Sequence, residues 1–278
     1  MPRVLAFTCS RYRPVLLRNS ILQMQHQTYR VDHAVYINSD DPEKDQYITD
    51  YTDLLNDVVS KNGNKVIVSF GRSFQQHRNH LEALRLVDLD EYDLFLKIDD
   101  DDIYKSYYVE EVVKDFGENR WDFSGNHCVG VINGARWRPD LIYKNLGAKS
   151  GDEDVGMSGT WAFSRSAINE ITSIDEESRG FEDNIWEAKL KNNPDIKIYR
   201  RQNNNANYIY NIHGKNISTG DWLEIRQENA RTQLKTADTK EKPMSGITSL
   251  RFASHFIKKA IPLLPRDIAK YVRQRFSQ

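Results

Sequence analysis

Through the first half of the chain, short apolar runs rich in β-branched residues alternate with longer stretches in which apolar positions recur at helical spacing. Val4–Thr8 predicts a first strand and Val15–Gln25 a helix started by Pro14. Ala34–Asn38 predicts a second strand, and 47–59 a helix. Lys65–Phe70 predicts a third strand, Ser73–Leu86 a helix, and Tyr92–Ile98 a fourth strand. Strand–helix alternation at this spacing predicts an α/β fold with a Rossmann-like parallel sheet and right-handed crossovers. After residue 120 the rhythm changes. Phe123–Ile132 and Gly159–Ser164 read as strands of a smaller mixed region, followed by a helix over Asp183–Lys191.

The polar segment 234–247, with its Pro and Gly, reads as a linker. It divides a domain over 1–233 from a tail over 248–278. In the tail, Leu250, Ala253, Phe256, Ile257, Ala260 and Ile261 fall on one helical face, while Lys and Arg oppose the single acid Asp267. A basic amphipathic helix of this kind suits an anionic membrane interface, or packs on the protein or on a second subunit.

Composition narrows the classes. With 39% hydrophobic and 28% charged residues, the 278-residue chain can bury a core. Lys+Arg at 39 against Asp+Glu at 40 leaves no general basic surface, which argues against nucleic acid as a partner. Cys9 and Cys128 are too few for a disulfide framework or a four-cysteine zinc site, so a reducing cytoplasm is the expected compartment. The opening MPRVLAFTCSRYRP reads as a strand, not a signal peptide, and no apolar run is long enough to span a bilayer. The expected location is cytoplasmic, with peripheral contact at the inner membrane face through the tail.

The most informative stretch is LKIDDDDIY. Asp99, Asp100, Asp101 and Asp102 follow directly on an apolar strand, where ligands of open α/β sheets bind. Adjacent carboxylates repel unless a cation relieves them, and Mg²⁺ or Mn²⁺ held by one or two of them leaves positions for phosphate oxygens. The alternative is a solvated acidic turn.

This run, ending a strand and followed by IYKSYYVEEV, resembles the Asp-x-Asp signature of GT-A glycosyltransferases, in particular the large inverting family two. The resemblance implies a GT-A fold, a Rossmann-like mixed sheet flanked by helices. It places Asp99 and Asp100 on the nucleotide side and makes Asp101 a metal ligand. Asp102 is then a second ligand or a structural residue. TCSRYRP is similar to the family's opening motif, which puts Thr8 and Arg11 beside the nucleotide. Asp40, after the second strand, corresponds to the acid that contacts the base; by itself it also suits a turn.

Further motifs follow in the family's order. GRSFQQHRNHLEAL resembles a Gly-x-x-x-A-R-N segment and offers Arg78 to base or phosphate, although Gln75, Gln76 and His77 replace the usual small residues. In SRGFEDNIWEAKL, Glu182 and Asp183 match the acidic pair that supplies the catalytic base. Asp183 would accept the acceptor's proton, and Glu182 would face acceptor and sugar; the pair also suits a helix start. In NYIYNIHGKN, His213 matches a late metal ligand, and a neutral imidazole favours Mn²⁺ over Mg²⁺. GMSGTWAFSR resembles the segment lining donor sugar and acceptor, with Trp161 either stacking on a sugar or lying in the core. WRPDLI around Trp137 is a weaker candidate for that stacking. The implied activity is sugar transfer from a nucleotide-sugar, UDP by the family's habit, to a hydroxyl of a glycan or lipid-linked acceptor. Inversion and bacterial surface polysaccharide synthesis come from the same resemblance. The alternatives are a retaining transferase of this fold and a non-catalytic nucleotide- or glycan-binding module.

Overall fold

The computed structural model describes residues 1–11, 13–40, 64–126, 128–133, 136–144, 155–175, 182–201 and 207–212. The helix expected over 47–59, the linker 234–247, the tail 248–278 and His213 lie outside the described residues. The chain divides into a main unit, Met1–Val131 with Ile142–Asn211, and a second unit, Ile132–Leu141 with Ile212–Gln278. Among the described residues, no helix is long and apolar enough to cross a membrane.

The main unit is built on a seven-stranded sheet. Its strands are β1 (Val4–Ser10), β2 (Asp32–Ser39), β3 (Val66–Arg72), β4 (Leu94–Lys97), β6 (Phe123–Asn126), β9 (Met157–Ser164) and β10 (Ile198–Arg201). They lie in the order β10-β6-β9-β4-β1-β2-β3. Pairing is parallel from β3 through β4 and between β6 and β10, while β9 runs antiparallel to both its neighbours. The sheet is therefore mixed, and the single reversed strand is the departure from a purely parallel sheet. Because β1 and β4 are neighbours while β2 and β3 extend the other way, the chain reverses its winding direction between β1 and β4. That crevice is the topological switch point, where open α/β sheets bind ligands.

Burial explains the strands. β1 and β2 sit inside the sheet and are covered on both faces, so every residue of β2 is buried, Asp32 and His33 included. These two polar residues hide the strand's start from a pattern of apolar residues. They are tolerated because Asp32 accepts from Tyr92 Oη at 3.1 Å and Lys65 N at 3.2 Å, and His33 Nε2 pairs with Thr8 Oγ1 at 2.8 Å.

Among the described residues the main unit has five helices: α1 (Pro14–Gln25), α2 (Gln76–Leu84), α3 (Tyr108–Asn119), α4 (Arg165–Thr172) and α5 (Glu182–Lys191). Pro14 opens α1, where its missing N–H costs nothing. Ser164 caps α4 by accepting from Ala167 N. α2 starts later than the pattern suggests because buried Asn79 holds Phe74 in a loop, accepting from its N–H at 3.0 Å and donating to its carbonyl at 3.1 Å.

An aromatic cluster fixes the helices on the sheet. Phe123 of β6 stacks on Phe163 of β9, Trp161 meets Phe163 edge-on and Phe7 of β1 leans against it, and Trp186 of α5 packs against Phe7, Phe163 and His80. The start of α5, with Glu182 and Asp183, is anchored by that tryptophan one turn on.

The single strand expected over 123–132 is two. β6 ends at Asn126, and β7 (Cys128–Asn133) joins a smaller sheet with β5 (Ile103–Tyr104) and β11 (Tyr208–Ile212). The pairing of β6 with β9 shifts register between Ser124 and Asn126. Gly125 lies in that irregularity, where an added Cβ would come within 2.5 Å of the Val155 carbonyl. β8 (Arg136–Lys144) supplies most of the described part of the second unit.

Candidate functional site

The four aspartates after β4 occupy four different environments. Asp99 accepts from Lys97 Nζ at 2.7 Å, and its backbone N–H donates to Tyr104 Oη at 2.9 Å. Asp100 is buried, accepts from Ser10 Oγ at 2.5 Å and faces Arg13 Nη2 at 3.1 Å. Asp101 faces Arg13 Nη1 at 2.5 Å. Asp102 is buried, accepting from Tyr208 Oη at 2.5 Å and Asn211 N at 2.9 Å. Asn211 Nδ2 also donates to the Asp101 carbonyl at 2.9 Å. The turn is thus bonded to the end of β1 on one side and to β11 on the other.

Gly159 of β9 passes directly against this turn. A Cβ there would lie 2.7 Å from Asp99 Oδ2, 2.7 Å from Tyr208 Oη and 3.0 Å from Asp102 Oδ2. Two carboxylates from the run therefore converge at a point that only a glycine leaves open.

Electrostatics follow from burial. Removal from water pushes Asp100 up to about 7, against the lowering pull of Arg13 and Ser10 and with the help of Asp101 and Asp99. Asp102 is raised well above the ordinary carboxylate range by burial and then by Asp101 and Asp99, with Tyr208 and Asn211 opposing. Tyr208 and Tyr104 are raised as phenols, by burial first and then by the neighbouring carboxylates. For Arg13, burial lowers and the carboxylates Asp100, Asp101 and Asp99 raise, and the carboxylates win. Burial dominates at Asp100 even though it is ion-paired, because one guanidinium is divided between two acids.

A second group of side chains gathers at the carboxyl ends of β1, β2 and β3. Arg11 forms an exposed ion pair with Asp40 and reaches Ser73 Oγ at 3.4 Å, and Asn38 Nδ2 donates to the same hydroxyl at 3.1 Å. Arg78 on α2 lies over the Phe74 ring, 3.8 Å from its centroid, with Glu82 3.7 Å away. Arg11 and Asp40, predicted separately, are brought together. Both groups border the switch point between β1 and β4.

Three expectations are corrected. Thr8 is fully buried, donates to the Ile98 carbonyl at 2.8 Å and pairs with His33, so it ties β1 to β4 and is not a nucleotide contact. Asp100 points inward to Ser10 and Arg13, so its carboxylate supports the turn instead of facing a nucleotide. Trp161 is 1% exposed, edge-on to Phe123 and Phe163, with Nε1 3.3 Å from the Gly156 carbonyl; it is core, not a sugar platform. The side chains of Glu182, Asp183 and Trp137 lie outside the described residues, although the first two open α5.

Pattern reasoning missed Ser10, Arg13, Lys97, Tyr104, Tyr208, Asn211 and Gly159. Two left a local signal. Lys97 interrupts an apolar strand that must be buried, and a buried charge requires a partner. Arg13 occupies a helix N-cap, a place that favours Ser, Thr, Asp or Asn. The others became legible only when distant strands met.

No family model matches the chain, and no curated protein matches it. Solved structures do. TarS 1-349 of S. aureus in complex with UDP-GlcNAc superposes with a TM-score of 0.55 at 16% identity, over 82% of this chain and 66% of that one. TarS 1-349 alone gives 0.52 at 16% identity, over 75% and 60%. The fold is of the GT-A type. A third GT-A match is the mannosyltransferase PcManGT from Pyrobaculum calidifontis, in complex with GDP-Man and Mn²⁺, with a TM-score of 0.50 at 10% identity over 99% of this chain and 80% of that one. The chain spans only about 60% of the TarS 1-349 length.

Metal use is common in the GT-A fold, and the acidic turn can be tested for it. Among the described residues no three His, Cys, Asp or Glu side chains converge as a ready-made cage. The crowding of acids nevertheless fits a dication. Four consecutive carboxylates meet Lys97 and Arg13 at one turn, and burial drives two of the four toward protonation. Mg²⁺ and Mn²⁺ are commonly held by one or two carboxylates together with substrate phosphates.

Proposed function

We propose that the chain is a metal-dependent glycosyltransferase that moves a sugar from a nucleotide-sugar, UDP-linked by our reading, to a hydroxyl of a glycan or lipid-linked acceptor with inversion. The observation that carries this reading is the turn Asp99–Asp102, four consecutive carboxylates of which two are buried, at the β1/β4 switch point of a GT-A sheet. The TarS and PcManGT complexes, with UDP-GlcNAc and with GDP-Man and Mn²⁺, support the donor class.

In this reading Arg11, Asp40 and Ser73 hold the base and ribose, with Arg78 beside them. Asp99 and Asp101 would hold Mn²⁺ or Mg²⁺, joined by His213. Bound there, the dication supplies Lewis-acid stabilisation of the leaving diphosphate. What supports a late ligand is Asn211, two residues before His213 in sequence, which donates through its backbone N–H to Asp102 and through its side chain to the Asp101 carbonyl. Asp183 at the start of α5 takes the acceptor hydroxyl's proton, and Glu182 orients acceptor and sugar. The same reading assigns the enzyme to surface polysaccharide synthesis at the cytoplasmic membrane face, held there by 248–278.

The first test is thermal melting with UDP, GDP and CMP, each with and without Mn²⁺. A ligand at 100 times its Kd that binds only the folded state adds about 2.7 kcal/mol. The expected result is a shift for UDP that needs Mn²⁺ and disappears in Asp101→Ala. No shift with any nucleotide would overturn the donor assignment and leave a binding module. Asp183→Asn should then lower kcat by about 10²–10⁴ with the melting shift intact. Vesicle flotation of the full chain against a 1–240 truncation tests the tail; equal flotation removes the membrane role.

A further inference from the structure

Arg13 stands between the two halves of the site. It is the N-cap residue of α1, with non-helical φ −135° and ψ 55°, so its backbone is set by β1 before it and Pro14 after it. Its guanidinium crosses the switch point from the β1 side to the β4 side and divides itself between Asp100 and Asp101. The two carboxylates differ. That of Asp100 is 2% exposed and also accepts from Ser10, and that of Asp101 is 12% exposed beside a guanidinium that is 23% exposed. The bond to Asp101 is therefore the one on the open side, and it covers the carboxylate that the proposed function offers to a dication. A guanidinium and a dication cannot both sit at bonding distance from one oxygen without strong mutual repulsion in a largely water-excluded site.

We propose that Arg13 is an exchangeable counter-ion that holds Asp101 while the metal is absent and turns its fork to the donor's diphosphate when a divalent cation takes that carboxylate. This rests on the metal and donor reading above. Asp100 and Ser10 keep the base of the turn in place during the exchange. A planar fork suits both partners in turn, since it pairs with carboxylate and phosphate through two parallel hydrogen bonds. One side chain then acts with opposite signs. It opposes metal binding in the absence of nucleotide and supports nucleotide binding once the metal is present, coupling the two loading steps.

The experiment titrates Mn²⁺ alone into the full chain, following the free ion by electron paramagnetic resonance, for wild type, Arg13→Met and Arg13→Lys. UDP is then titrated at saturating Mn²⁺ by calorimetry. R13M is expected to bind Mn²⁺ about tenfold more tightly and UDP about tenfold more weakly, the size of one charge-assisted hydrogen bond. R13K should fall between, keeping the charge and losing the fork. Metal-free R13M should also melt below wild type and gain more from Mn²⁺. If R13M does not fold, R13K decides by the same signs. Unchanged or weaker Mn²⁺ binding by a folded variant overturns the proposal while leaving the metal site standing, and so does an unchanged UDP affinity. A wild type that binds no Mn²⁺ overturns the metal reading itself, a result that needs no variant.

Discussion

Tyr208 Oη donates a 2.5 Å hydrogen bond to Asp102 Oδ2, tying β11 to the turn that follows β4. Both groups are buried, and Asn211 N holds the other carboxylate oxygen at 2.9 Å. The acidic turn therefore owes its shape to a strand that arrives more than a hundred residues later.

Tyr208→Phe removes that donor and leaves one oxygen of a buried acid without it. The expected loss is about 1–3 kcal/mol, the usual range for an unsatisfied buried polar group. Urea denaturation measures it. An unchanged midpoint at unchanged slope would mean that Asp102 does not depend on β11.

Gly159→Ala inserts a methyl group 2.7 Å from both Asp99 Oδ2 and Tyr208 Oη. Overpacking of this size costs about 1–3 kcal/mol. Because the clash falls on the carboxylates, the Mn²⁺-dependent melting shift should be lost beyond what the lower stability explains. A variant that keeps a full wild-type shift would separate Gly159 from the site.

The Arg11–Asp40 pair is exposed, so Arg11→Ala should change stability by less than about 1 kcal/mol. Its expected effect is on nucleotide affinity, a loss of about tenfold by calorimetry for one charge-assisted contact. Loss of stability with unchanged affinity would make the pair structural.

His33 gives acid sensitivity a direction. Burial lowers its pKa to about 3, whereas an unfolded histidine titrates near ~6.5. Between those values the unfolded chain binds the extra proton. The stability that neutral His33 contributes is therefore complete above the upper value and is lost as pH falls toward the lower one, with a slope of up to ~1.4 kcal/mol per pH unit. His33→Gln, which keeps an N–H for Thr8, should flatten the pH dependence of urea stability across this window. A slope equal to that of wild type would remove His33 as its source.

Trp161→Ala should behave as a core truncation and lower stability by about 3–5 kcal/mol. The milder Trp161→Phe should leave acceptor KM unchanged. A raised acceptor KM at wild-type stability would restore the stacking role that burial argues against.

Much of the architecture was legible along the chain. Apolar periodicity located β1 to β4, α1 and α2, because strands covered on both faces and one-sided helices leave different spacings. The Asp run after β4 could be singled out because open α/β sheets bind ligands beyond the ends of their strands, whereas Arg11 and Asp40 were marked by the resemblance to GT-A motifs. Polar residues that are buried but bonded, such as Asp32 and His33, blurred the ends of elements without hiding them.

What only the tertiary structure decided is how each of those side chains is used. The sequence marks four adjacent aspartates but cannot distribute them, since Asp100 is claimed by Ser10 and Arg13 from the β1 side and Asp102 by Tyr208 and Asn211 from β11. Thr8 and Trp161 look available in one dimension and prove buried in three, because the strands that cover them come from elsewhere in the chain. Local pattern reports which way a residue faces relative to its own element. Which partner meets it there depends on contacts between distant segments, and those are set by how the strands are ordered in the sheet.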